Sequence, residues 1–176
     1  MFNNIAFIGG IHAAGKGTVC TSIMQELNIY HLSASEVLKW KELNTDGTNK
    51  KVRDISETQD RLIAGLHRVI LPDLYYLLDG HFCLFDKDGH VNKVPLQTFR
   101  DIKPILIAVV TCDVTIIKKR LEERDLKEYD YEVLEMMQKA EVEYSQRVAT
   151  ELHVPYVESE NGDYRRIVQT LKLILK

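Results

Sequence analysis

The chain has few of the patterns that mark secreted, membrane-spanning or polyanion-binding proteins. Its three cysteines are scattered without C-x-x-C spacing, and its six histidines form no H-x-x-x-H or Cys/His cluster. We interpret the cysteines as reduced packing residues rather than as disulfide, metal or catalytic groups. No apolar run approaches the roughly twenty residues that would cross a bilayer. A net charge of −3 argues against general nucleic-acid binding.

The remaining composition is typical of one globular domain. With 176 residues, 45% of them hydrophobic and 28% charged, the chain can bury a well-filled core. Its N-terminal apolar run is short and lacks a basic leader, so we expect no signal peptide. We therefore expect a single domain spanning residues 1–176 in a soluble, cytoplasmic protein that binds no membrane and is a monomer or homodimer.

Hydrophobic spacing predicts strands that alternate with helices. Strands are expected at 5–8, 30–32, 74–78, 104–110 and 154–157, and helices at 16–27, 34–43, 56–70, 96–102, 114–124, 131–152 and 164–175. This alternation predicts a three-layer α/β/α fold around a five-stranded parallel sheet. The turn signal at 86–89 lies between two apolar runs and predicts a small β-hairpin insertion, and a polar loop is expected at 44–51.

A glycine-rich stretch after the first strand carries the clearest chemical signal. Residues 10–16 fill the template G-x-x-x-x-G-K, with Gly17 where Ser or Thr is usual and Thr18 one step later. Polyphosphate needs an unobstructed loop with inward N–H groups and a helix N-terminus behind them. A glycine-rich turn without a ligand is the alternative, but the apolar run before the loop and the amphipathic run after it favour a nucleoside triphosphate. The expected ATP-binding residues of this loop are Gly10, His12, Ala13, Ala14, Gly15, Lys16, Gly17 and Thr18.

An aspartate that ends the third strand is the expected second partner of this loop. Leu77-Leu78-Asp79 places a carboxylate at the sheet edge where ligands bind in open α/β folds. We predict that Asp79, acting through water, and the Thr18 hydroxyl hold Mg2+ as the cofactor. A turn-starting aspartate is the alternative.

A basic cluster on the helix at 114–124 adds positive charge. Arg120 and Arg124 lie at i, i+4 spacing, and Arg147 on the following helix could converge on the same place. Phosphoryl transfer needs such charge around the transferred group, whereas the alternative is a solvated helix C-terminus. The expected catalytic residues are therefore Lys16, Arg120, Arg124 and Arg147, and Arg120 is also expected to bind ATP.

In order and spacing, these motifs resemble the adenylate kinases and their small relatives among the nucleoside monophosphate kinases. Gly15-Lys16-Gly17-Thr18 is similar to the G-K-G-T ending of their loop, and Asp79-Gly80 is similar to their Asp-Gly after strand three. The arginine pair is similar to the one that begins their lid. The resemblance implies acceptor-binding helices at about 33–70 and a short lid at about 120–130, as in archaeal-type members.

The resemblance also implies contacts to an acceptor. Ser33 matches the strand-end hydroxyl near the acceptor, and Lys39 matches a helix arginine that binds the monophosphate. A lysine there offers a point charge instead of a two-pronged grip. Gln97 is similar to a glutamine that reads the acceptor base, with an exposed helix glutamine as the alternative. His81 either faces the acceptor or is a loop histidine paired to a backbone carbonyl.

These expectations combine into one function and two alternatives. The leading interpretation is an ATP-dependent phosphotransferase that moves the γ-phosphoryl to a nucleoside monophosphate, foremost AMP. The chain departs from the family at His12-Ala13, where Pro-Gly is usual, and it lacks the arginine that binds the acceptor after Asp79. That weaker acceptor site favours, as alternatives, a P-loop ATPase that acts as a switch or assembly factor, or a kinase of another small metabolite.

Overall fold

A five-stranded parallel sheet forms the centre of the protein, with strand order β2-β3-β1-β6-β7. The computed structural model describes residues 2–40, 55–85 and 90–175, except for the side chains of residues 39–40 and 55–57. The sheet strands are β1 (Ile5–Gly9), β2 (Tyr30–Ser33), β3 (Tyr76–Asp79), β6 (Leu106–Thr111) and β7 (Tyr156–Glu160). Every residue of β1 and β6 is buried, as expected for parallel strands that are covered on both faces. The predicted fold class is confirmed.

Seven helices among the described residues connect and cover these strands. They are α1 (Lys16–Glu26), α2 (Ala34–Trp40), α3 (Ile55–Val69), α4 (Leu96–Ile102), α5 (Val114–Asp125), α6 (Tyr131–Leu152) and α7 (Arg165–Ile174). Helix α1 packs against α7, whereas α6 packs against β6, α4 and α5. Within the described part of the chain, no helix is both long and apolar enough to cross a membrane.

The predicted hairpin is present as β4 (Cys83–Phe85) paired antiparallel with β5 (Val91–Lys93). Its predicted turn at 86–89 and the predicted polar loop at 44–51 lie outside the described residues. The hairpin is attached to α6, because the Tyr144 hydroxyl donates a 2.7 Å hydrogen bond to the carbonyl of Val94. It is also attached to the core through Phe82, whose ring centroid lies 5.0 Å from that of Phe7.

All five sheet strands differ from their predicted bounds by one to three residues at one or both ends, and for two of them the reason can be identified. Strand β3 begins at residue 76 rather than 74, because the Asn4 amide donates hydrogen bonds to the carbonyls of Leu71 (2.9 Å) and Leu74 (2.6 Å) and holds that segment as a turn. Strand β7 extends to Glu160, beyond the predicted end at 157, because its pairing with β6 continues to Thr111. Polar residues at this sheet edge concealed the strand from its hydrophobic pattern.

Candidate active site

The loop between β1 and α1 adopts the strained backbone that its glycines permit. Gly10 has φ +143°, and a Cβ atom added there would lie 2.4 Å from the carbonyl oxygen of Val110. Gly15, which precedes α1, has φ +103°, and Ala13 has φ +62° although it carries a side chain. Ala13 thus takes a left-handed conformation at a position where glycine is the easier residue. These backbone angles make the chain turn tightly between β1 and α1.

The N-terminus of α1 and the Lys16 side chain face this loop. Gly15 caps the helix without a side-chain hydrogen bond, so no side chain competes for the first amides. Lys16 Nζ donates to the carbonyls of Gly10 (2.8 Å) and Ile11 (3.1 Å). Burial lowers the pKa of Lys16, while the carboxylates of Glu141 and Asp79 act in the opposite direction. Helix amides and one ammonium group here form a site suited to an anion.

The two arginines of α5 occupy different environments. Arg120 Nη1 donates a 3.0 Å hydrogen bond to the carbonyl of Ala13, which holds its guanidinium beside the loop. Arg124 instead forms a two-pronged pair with Asp125, with N–O distances of 2.7 and 2.8 Å, and Tyr129 also donates to this carboxylate. Arg124 lines a cavity of about 360 Å³ between residues 121–129 and the hairpin. Its charge is therefore partly neutralised in this conformation.

Asp79 lies at the predicted sheet edge, but a histidine already contacts it. The parallel register places Asp79 beside Ile8 of β1 and Ser33 of β2. His31 Nε2 lies 2.5 Å from Asp79 Oδ2, a short hydrogen bond between residues 48 apart in sequence. His31 was not among the predicted site residues, because only the pairing of β2 with β3 brings it to the carboxylate. The Thr18 hydroxyl, the other predicted Mg2+ ligand, is on an exposed residue in the first turn of α1.

Two histidines and a buried glutamate lie beside the loop. The rings of His12 and His81 are 4.3 Å apart, and desolvation of the His12 ring, followed by the nearby charges of His81 and Lys16, lowers the pKa of His12 to about 4. His81 Nδ1 lies 3.6 Å from the fully buried carboxyl group of Glu141. The oxygens of Glu141 accept hydrogen bonds from the backbone N–H groups of residues 82 and 83 at 3.0–3.1 Å.

Glu141 was detectable in the sequence. The buried face of α6 carries Leu134, Met137, Tyr144 and Val148, and Glu141 falls on the same face at the same spacing. A carboxylate that interrupts an apolar stripe needs buried donors, and here the hairpin supplies them.

A second cavity of about 360 Å³ opens from the loop toward α2, α3 and α4. Lys16, Asp79 and His81 line it at the loop end, and Ser33 lines it at the end of β2. Most of the remaining wall is apolar: Phe7, Leu38, Leu62, Leu84, Val94, Phe99 and Ile102. Two buried polar residues interrupt this wall, Gln59 with 9% and Thr98 with 4% of its surface exposed. Neither residue was among the predicted site residues.

Of the predicted site residues, Gln97 and Arg147 line neither cavity, and the side chain of Lys39 is not described. Gln97 is exposed and donates a 2.8 Å hydrogen bond to Asp101 one turn later, so it matches the alternative of an exposed helix glutamine. Arg147 is exposed on α6, about 9 Å along the helix axis from Glu141, and lines neither cavity described above. The structure thus does not bring it to the loop. The Lys39 side chain lies outside the described part of the chain, so its role stays a prediction.

The protein has a phosphate loop after the first strand of a parallel sheet, and an aspartate ends the neighbouring strand. These features define a P-loop, kinase-like nucleotide-binding domain. The chain belongs to the AAA domain family, whose model matches residues 9–138. No curated protein matches the chain. The adenylate kinase-like assignment is not confirmed by these comparisons.

Solved structures with the same fold include several kinases. A putative kinase from Chloroflexus aurantiacus has a TM-score of 0.59 at 14% identity, with 100% of both chains covered. Shikimate kinase from Acinetobacter baumannii has a TM-score of 0.57 at 16% identity, covering 99% of this chain and 94% of that one. A sugar kinase from Janibacter sp. has a TM-score of 0.57 at 13% identity, covering 96% and 94%. At these identities the similarity shows the fold alone.

Proposed function

We propose that the protein is an ATP-dependent phosphotransferase that moves the γ-phosphoryl of ATP to a nucleoside monophosphate, with AMP as the leading candidate. One observation carries the proposal: Lys16 belongs both to the phosphate loop and to the wall of the largely apolar cavity. A phosphoryl group held by the loop would therefore lie at the mouth of a space that can hold an acceptor.

The donor half rests on positive groups arranged around the loop. The amides at the start of α1 and the Lys16 ammonium would bind the β- and γ-phosphates, whose oxygens could replace the loop carbonyls that Lys16 now contacts. Arg120 is held beside the loop through Ala13 and would neutralise charge that develops during transfer. Arg124 could contribute after exchanging Asp125 for phosphate. Positioning and charge, rather than covalent chemistry by the protein, would supply the acceleration.

The residues at the loop suit Mg2+. A hydroxyl from Thr18 and a carboxylate from Asp79 are oxygen ligands of the kind that Mg2+ prefers, and the cation usually keeps several waters. Bound there, Mg2+ would neutralise phosphate charge. Asp79 could contact it through water while its other partner remains His31.

The acceptor half rests on the composition of the cavity wall. Apolar side chains from α2, α3 and α4 suit the faces of a nucleobase, and the buried Gln59 and Thr98 suit its polar edge. Ser33 and His81 lie at the loop end, where the monophosphate would face the donor, and Lys39 would add a positive charge. Closure of the helices at 33–70 and of the lid would exclude water that could otherwise hydrolyse ATP.

A kinase of another small metabolite is the second candidate, because no arginine is among the described residues that line the cavity. Arginine is the side chain best suited to grip an acceptor phosphate. A hydroxyl-bearing acceptor without a phosphate group needs no grip on a phosphate. The structural relatives named as shikimate kinase and sugar kinase are named for acceptors that carry no phosphate.

A panel of acceptors separates these functions. Purified protein is incubated with ATP and Mg2+ plus AMP, other nucleoside monophosphates, shikimate, hexoses or no acceptor, and the phosphorylated products are identified by mass spectrometry. We expect ADP formation that depends on AMP and is abolished in Lys16→Ala. Transfer only to shikimate or to a hexose would replace the leading function with the second candidate. Acceptor-independent release of phosphate would indicate an ATPase.

The acceptor cavity can be tested separately from the donor loop. Gln59→Leu and Thr98→Val should each raise the KM for the acceptor about tenfold, because a buried polar contact to the substrate is lost, and leave the KM for ATP unchanged. Gln97→Leu is the matched control, since that exposed glutamine precedes Thr98 on the same helix and lies outside the cavity. Equal effects of all three changes would contradict this location of the acceptor.

A further inference from the structure

Three potential metal ligands lie close together where α1 covers strands β2 and β3. The Sγ atom of Cys20, a ring nitrogen of His31 and a carboxylate oxygen of Asp79 all lie within 4.8 Å of one another. Each residue is on a different element, α1, β2 and β3 respectively, and β2 is paired with β3 through Ser33 and Asp79. The backbone positions of the three side chains are therefore set by the sheet and by the helix that covers it.

The set of atoms suits a cation softer than Mg2+. Zn2+ accepts one thiolate, one imidazole and one carboxylate, whereas Mg2+ prefers oxygen ligands. In a tetrahedral zinc site, bond lengths of about 2.0–2.3 Å place ligand atoms about 3.3–3.6 Å apart. The atoms here are 2.5 Å apart for His31 and Asp79 and at most 4.8 Å apart otherwise. Adjustments of about 1 Å, within reach of side-chain rotation, would bring them to that geometry.

The exposure of two of the ligands also favours such a site. The side chains of His31 and Asp79 are 23% and 16% exposed, so a cation can approach from their side, while Cys20 is fully buried beneath them. Asp79 lines the acceptor cavity, but Cys20 and His31 do not. The cluster is the one group of three or more such ligands found among the described residues.

We propose that Cys20, His31 and Asp79 bind one Zn2+ ion, with water as the fourth ligand. Binding breaks the hydrogen bond between His31 and Asp79, and the proton of the neutral His31 ring moves from Nε2 to Nδ1 by exchange with solvent. The metal replaces the thiol proton of Cys20, so one proton is released to the solvent. The site is separate from the proposed Mg2+ position at Thr18 but shares Asp79 with it. The inference does not depend on the identity of the phosphoryl acceptor.

Metal binding to the full chain tests the proposal directly. Metal-free protein is titrated with Zn2+ against a chromophoric chelator, and separately with Co2+, whose bond to a thiolate gives a near-ultraviolet charge-transfer band. We expect one Zn2+ per chain, and a loss of affinity of at least about tenfold in Cys20→Ser and in His31→Gln. The cobalt band should disappear in Cys20→Ser. Cys83→Ser is the matched control, because Cys83 is an equally buried thiol outside the cluster.

The titrations can either support or overturn the proposed zinc site. Loss of binding in Cys20→Ser and His31→Gln with retention in Cys83→Ser supports the site. The absence of stoichiometric binding in the wild-type protein would overturn it, as would equal affinity in wild type and His31→Gln. His31 is partly exposed at the edge strand, so His31→Gln should fold even where Cys20→Ser does not, and circular dichroism checks this.

Discussion

The buried carboxyl group of Glu141 should be a major determinant of stability, although it lies outside the phosphate loop. It is fully buried and accepts hydrogen bonds from the backbone N–H groups of Phe82 and Cys83, which are also fully buried. Replacing Glu141 with Ala leaves both donors without this partner, at a cost of about 1–3 kcal/mol for each. We expect Glu141→Ala to lose about 3–5 kcal/mol of unfolding free energy, a large share of the 5–15 kcal/mol typical of a domain.

Urea unfolding followed by far-ultraviolet circular dichroism measures this loss. Glu141→Gln should lose less than Glu141→Ala, because the amide oxygen can still accept one of the two backbone hydrogen bonds. Glu143→Ala is the matched control: Glu143 lies two residues further along α6 with its side chain 67% exposed, and its loss should change stability by no more than about 0.5 kcal/mol. A loss below about 1 kcal/mol in Glu141→Ala would refute the reasoning, because the two N–H groups would then have found other partners.

Three further changes probe the loop. Gly10→Ala should lower the free energy of unfolding in urea by at least about 2 kcal/mol and should abolish ATP binding in calorimetry. The new Cβ atom would lie 2.4 Å from the carbonyl oxygen of Val110, and the residue would have to keep a φ of +143°. Stability should fall as the pH is lowered from about 6.5 to about 4, because the folded pKa of His12 is about 4 and the unfolded chain binds the proton first. In His12→Gln, the midpoint of urea unfolding should depend less on pH between about 4 and 6.5. An unchanged pH dependence would contradict the lowered pKa of His12. Arg120→Ala should lower kcat by at least about 10²-fold with little change in stability, and normal turnover would remove Arg120 from the mechanism.

The fold was largely predictable because its elements are specified locally. Hydrophobic periodicity predicted α4 at 96–102 and α6 at 131–152, and the structure has the same bounds. Apolar runs likewise identified the central strands. The errors occurred where tertiary contacts decide the outcome. The amide of Asn4 delays the start of β3, and pairing with β6 extends β7 through polar residues.

The site was predictable where its chemistry lies in contiguous motifs. Lys16 and Asp79 follow directly from the loop template and the strand-ending aspartate, and both line the cavity. His31 could not be predicted in the same way, because it reaches Asp79 only through the register of two strands 48 residues apart. Helical spacing placed Arg147 on a helix but could not determine which direction its side chain faces.

The measurement that tests the account most directly follows the γ-phosphoryl group of ATP. Wild-type protein and Lys16→Ala are incubated with Mg2+, AMP and ATP labelled at the γ position, and the label is located after chromatography. The account predicts that the wild-type protein transfers the label to AMP, and that Lys16→Ala remains folded and transfers none. Label found only as free phosphate, or equal transfer by Lys16→Ala, would contradict it.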